Sequence, residues 1–98
     1  MAFDMYADQM EEKFEHNEEY LFSYINELAE FPTLNWIWQE FYKSPQINSD
    51  QANAIVHELI HLSTLHRSDK QLINTVVRLL PFFSFCYKNK LTIKTASD

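Results

Sequence analysis

His57-Glu58-Leu59-Ile60-His61 is the stretch of this chain whose residue types and spacing match a catalytic pattern. Two histidines one helical turn apart can hold a zinc ion, and a glutamate beside the first can take a proton from a zinc-bound water. That is the chemistry of a metal-dependent peptidase. Three features of the sequence weigh against it. In a helix, Ile55, Leu59 and Leu62 share one face, and His57 and His61 fall on roughly the opposite one, turned to solvent rather than into a cleft. A third ligand is missing, because His66 follows His61 with no glycine between them and no glutamate occurs after Glu58. Peptidases of this kind also lay substrate along a sheet edge, and no sheet is expected here. We therefore expect no catalytic residue, no metal ligand and no cofactor, and rank a small zinc metallopeptidase last of the readings below.

Other reactive groups are sparse. The single cysteine, Cys86, lies between Phe85 and Tyr87 in the most apolar stretch, so no internal disulfide forms and a buried, inert thiol is expected. Glycine is absent, where average usage would supply about seven. That removes every glycine-dependent phosphate cradle and argues against sheet-rich folds with tight turns.

Charge is unevenly spread. Residues 1–30 hold nine acidic side chains (Asp4, Asp8, Glu11, Glu12, Glu15, Glu18, Glu19, Glu27 and Glu30) and one basic one, Lys13. The rest of the chain is slightly basic, and the whole carries a net charge of -6. Such a run is either a solvated face or a negative surface aimed at a basic protein. On the second reading Glu11, Glu12, Glu15, Glu18 and Glu19 form its centre. Tyr20 and Tyr24 are then the neighbouring aromatic anchors. Repulsion of phosphate disfavours direct binding to nucleic acid, and none is expected.

The elements that must position these groups follow from apolar spacing and caps. Phe3, Ala7, Met10, Phe14, Leu21, Ile25 and Leu28 recur at intervals of three, four or seven. They predict one helix over residues 3–30, or two joined near His16-Asn17 with Asn17 as cap. Phe31-Pro32 ends this region, and Thr33 is expected to cap a short helix carrying Leu34, Ile37, Trp38 and Phe41. Ser49-Asp50 opens the next, which His66-Arg67 closes. Ser68-Asp69-Lys70-Gln71 has the form of a capping box before a further helix. Pro81 either kinks that helix or begins another, and Phe82, Phe83 and Phe85 are expected in or beside the core. Leu91-Thr92-Ile93-Lys94-Thr95 alternates, as a short strand or an extended tail would. The expected fold is all-α: a compact bundle of four to five helices, one domain over residues 1–98. No apolar run is long enough to span a bilayer, and the N-terminal residues lack the basic and apolar regions of a signal peptide. No membrane partner and a cytoplasmic location are therefore expected.

The C-terminal run Leu80-Pro-Phe-Phe-Ser-Phe-Cys-Tyr-Lys-Asn-Lys-Leu-Thr-Ile-Lys-Thr-Ala-Ser-Asp98 resembles the endings of small immunity proteins of bacterial polymorphic-toxin systems, such as contact-dependent growth inhibition. Those are compact, often acidic, single-domain proteins that bind a cognate toxin domain and block it. The resemblance implies an inhibitor of a basic toxin domain, a nuclease, whose substrate groove the acidic helical face would fill in place of phosphate. It carries no residue-level role. The alternative is a helical adaptor or regulatory module with no toxin.

Overall fold

Phe3, Met5 and Ala7 are buried while Tyr6 between them is exposed, the two-residue period of a strand with one face on a core. In the computed structural model, which describes residues 3–97, strand β1 (Phe3–Ala7) is the centre of a three-stranded antiparallel sheet. It pairs with β2 (Met10–Phe14) on one side and β3 (Lys94–Ser97) on the other. The helices are α1 (Leu21–Ile25), α2 (Pro32–Gln39), α3 (Ser49–Leu65) and α4 (Lys70–Lys88), with short 3-10 turns at His16–Glu18 and Phe41–Lys43. The fold is therefore α+β, and the all-α bundle of four to five helices is corrected.

The reason lies in the spacing itself. Residues four apart share a face in a helix and also in a strand, so Phe3 with Ala7 and Met10 with Phe14 satisfy both periods. Met5 decides between them: it is fully buried, and in a helix containing Phe3 and Ala7 it would fall off their face. The hairpin turn needs one residue with positive φ, and Asp8 supplies it at φ 55. Aspartate tolerates that backbone region better than most residues, so the lack of glycine does not forbid the turn. Glu27, Ser44 and Lys90 take the same region elsewhere. Lys90 does so just beyond α4, where Leu91 N–H donates to the Cys86 carbonyl (2.9 Å) and Lys90 N–H to that of Tyr87 (3.2 Å), closing the helix end.

The partner of the alternating C-terminal segment is the opposite end of the chain. Lys94 to Ser97 pair with Tyr6 to Phe3, and Ile93, fully buried, bridges to Ile47. Two caps differ from expectation by one residue. Asn48, not Ser49, opens α3, exchanging reciprocal 2.8 Å hydrogen bonds with Gln51. Asp69, not Ser68, caps α4 by accepting from Leu72 N–H at 3.0 Å. Helix α4 continues through Pro81 to Lys88, with Phe82, Phe83 and Cys86 buried and Phe85 partly exposed. Burial pushes the Cys86 thiol up to about 11. Helices α3 and α4, joined by a short loop, form a helical hairpin, and α4 also packs on β2. No helix among the described residues is long and apolar enough to cross a membrane.

Candidate functional site

The seven residues expected to form one acidic helical face do not share a face. Glu11 and Glu12 lie on β2 and, as neighbours in a strand, point to opposite sides of the sheet. Glu15 precedes the turn that contains Glu18. Glu19 follows it, and Tyr20 and Tyr24 belong to the region of α1.

Four of the seven are committed inside the molecule. Arg78 of α4 reaches Glu12 with one guanidinium nitrogen and Glu18 with the other, and donates to the Lys13 carbonyl at 3.1 Å. Glu18 is buried and also accepts from Thr75 Oγ1 (2.9 Å) and Glu15 N–H (2.8 Å). Burial alone would raise its carboxyl. The hydrogen bonds from Glu15, Arg78 and Thr75, with the Arg78 charge, outweigh that and hold it below the usual carboxylate range. Tyr24 and Tyr20 donate their hydroxyls to Asp69, at 2.7 and 3.4 Å. Burial, then the Asp69 charge, pushes Tyr20 up to about 12. The backbone bond from Leu72, joined by those from Tyr24 and Tyr20, holds the Asp69 carboxyl low despite some desolvation. Tyr24 further stacks on His66, ring centroids 4.1 Å apart.

Sequence reasoning missed Arg78 and Asp69 as the organising residues. Arg78 had a signal: it is the sole charge between Lys70 and Lys88 in an apolar helix, and such a charge needs a partner.

The hairpin's outer face remains open. By register, Tyr6 lies between Glu11 on β2 and Lys94 on β3, and Asp4 between Lys13 and Ala96. Tyr6 is 43% exposed, and beside it lies a shallow depression of about 290 Å3 lined by Asp4, Tyr6, Glu11, Glu12 and Lys13. Asp8 stands at the tip. Among the described residues Asp4, Asp8 and Glu11 have no ion-pair partner, whereas Glu15 pairs with Lys13 (3.6 Å) and Glu19 with His16 (3.4 Å). The free edge of β2 is blunted at Lys13, whose N–H is taken by Glu12 Oε1 (3.0 Å) and whose carbonyl is taken by Arg78.

The histidine-glutamate motif has a different use. Glu58 is buried, and its two oxygens accept from Thr33 N–H (3.1 Å) and Leu34 N–H (2.9 Å). It caps the first turn of α2, where a negative charge also suits the helix dipole. Thr33 is capped rather than capping, and Phe31 and Pro32 occupy the helix entry. His57 is exposed, and His61 stacks on Phe31 and sits 3.3 Å from Glu30. The carboxylate turns inward and the imidazoles outward, so the glutamate is not placed to serve a water held by the histidines. Among the described residues no three His, Cys, Asp or Glu side chains converge as metal ligands.

Compared with family models, curated proteins and solved structures, the chain matches none of them.

Proposed function

We propose that the chain is a binding protein that blocks a basic partner domain, in the manner of the toxin immunity proteins that its C-terminal run resembles. The contact is made by the open face of the N-terminal hairpin. One observation carries this: a half-exposed tyrosine stands on an open sheet face with Asp4, Glu11 and, at the tip, Asp8, carboxylates free of internal ion pairs. An aromatic ring among carboxylates offers a basic surface both a desolvated anchor and charge complementarity. The Arg78 bridge ties β2 to α4, so the face is pre-organised and loses little entropy on binding. Inhibition would be occlusion, with carboxylates standing where substrate phosphate would bind.

The test uses a basic toxin domain whose gene neighbours that of this chain, and the lack of any such gene counts against the reading. The domain's nuclease activity is measured with and without an equivalent of the chain. Stoichiometric loss of activity supports the reading, as does recovery of activity when Tyr6→Ala and Glu11→Lys are combined. Steering through solvent should fade as the Debye length falls from about 10 Å at 0.1 M salt to about 3 Å at 1 M. Undiminished nuclease activity with the chain in excess overturns it. Inhibition lost in Trp38→Ala or Tyr42→Ala instead, both residues being exposed aromatics near the Phe41 turn, would move the contact to that patch.

A further inference from the structure

The middles of the two longest helices carry one formal charge each, and both are paired or hydrogen-bonded on flanks that face the rest of the fold. Between Gln51 and Leu65, α3 carries only Glu58, which is buried under α2. Between Gln71 and Tyr87, α4 carries only Arg78, which turns to the hairpin. Ordinary surfaces carry charge on about 25–35% of their residues. Here the exposed side chains include Ile60 (44% exposed) and Val77 (61% exposed), with Val56, Ile73 and Leu80 partly exposed.

These residues form one patch. Glu58 and His61 fix one flank of α3 against the start of α2 and the residues before it. Thr75 and Arg78 fix one flank of α4 against Glu18 and the hairpin. The remaining flanks face each other across the helical hairpin, and they carry Val56 and Ile60 on α3 and Ile73, Val77 and Leu80 on α4. Asp50, Lys70 and Lys88 lie only at the helix ends, giving an apolar centre with a charged rim, the anatomy of an interface.

We propose that this seam binds a second copy of the chain in a symmetric dimer, the two helical hairpins meeting in a four-helix layer. Charge selects that occupant. Each copy carries -6, and Asp4 and Glu11 lie on the face of the sheet turned away from the helices. The uncharged seam lets two identical copies meet without opposing like charges. A basic partner gains nothing there, because no carboxylate awaits it. The area suffices: helices of 17 and 19 residues present a face about 25 Å long and about 20 Å wide, hence on the order of 1,000 Å2 over two copies. That is the lower bound of specific interfaces, so the dimer is weak and reversible.

Sedimentation equilibrium of the full chain tests this at loadings up to about 1 mM, where even a weak dimer populates. The expected mass rises to twice the 11.7 kDa of one chain. Raising salt should tighten the dimer by screening the repulsion between like-charged copies, the opposite of its effect on a basic partner. Val77→Glu on α4 and Ile60→Lys on α3 should each weaken association more than about 100-fold, because each copy would bury an unpaired charge. Both sites are exposed, so circular dichroism should show parental folding, and inhibition of a partner should be retained. Glu11→Lys should leave the dimer intact. A parent that stays monomeric at every loading and salt overturns the proposal. A dimer that survives both seam variants overturns it as well.

Discussion

A carboxylate whose two oxygens each accept a backbone N–H at a helix start is fixed there by geometry and by charge. Glu58 holds Thr33 and Leu34 in this way from a position three residues after Ile55 and four before Leu62, on the inward face of α3. Replacing it by alanine leaves two donors unpaired beside the core and should cost about 1–3 kcal/mol, read as a lower urea midpoint. His57→Ala, at an exposed position, should change the unfolding free energy by less than about 0.5 kcal/mol. A Glu58→Ala chain unfolding at the parental midpoint would show that the cap contributes nothing. This inward placement was legible in the sequence, because spacings of three and four from Ile55 and Leu62 put Glu58 on their face. Its partners were not, since Thr33 lies 25 residues away and nothing local links the two.

At the scale of elements, the hairpin shows why helical spacing can mislead. An interval of four is common to both periods, and the two-residue turn shifts the second strand so that Ala7 and Met10 also stand three apart. A strand of five residues offers too few positions to break that tie except at Met5. Helices α3 and α4 were legible because each runs long enough to repeat its apolar stripe and each begins at a side-chain cap. The sheet joins the two ends of the chain, and such long-range pairing has no local signature. Beside the buried Phe3, Met5 and Phe14, the polar tie between the hairpin and the helices is Arg78. Changing it to methionine leaves the Glu12 and Glu18 carboxylates without their cation and strips the Lys13 carbonyl of its donor. Loss of a fully buried pair's partner costs about 3–5 kcal/mol. Arg78 remains 35% exposed, so a smaller loss of about 1–3 kcal/mol is expected. Amide exchange at β2 should quicken more than in α3, because the break is local to the hairpin. Uniform exchange across both elements, or an unchanged midpoint, would contradict this assignment.

Across the whole molecule these polar contacts set a stability window in pH. Glu18 and Asp69 titrate below their usual values of 4.5 and 3.8 in the fold. A depressed carboxyl favours the native state above its unfolded value, and that contribution is lost as pH falls through the folded one. Stability should therefore decline in acid, starting near pH 4.5. Tyr20 gives the opposite limb. Its hydroxyl is raised from 10.0 to about 12, so the folded chain keeps a proton that the unfolded chain releases. That contribution is intact below about pH 10 and lost between about pH 10 and 12. Urea midpoints measured from pH 2 to 12 should accordingly show a plateau between two declines. Each limb can be assigned by substitution. Tyr20→Phe should lessen the alkaline decline, with Tyr24, whose hydroxyl is also raised, keeping part of it, and should weaken the acid decline slightly, because Asp69 loses one of the donors that hold its carboxyl low. Arg78→Met should weaken the acid decline, because the Glu18 carboxyl loses the cation and donor that depress it. If Tyr20→Phe leaves the alkaline limb unchanged, the Tyr20 hydroxyl is neither shielded by burial nor held by Asp69. The link between α1 and the start of α4 would then rest on Tyr24 alone.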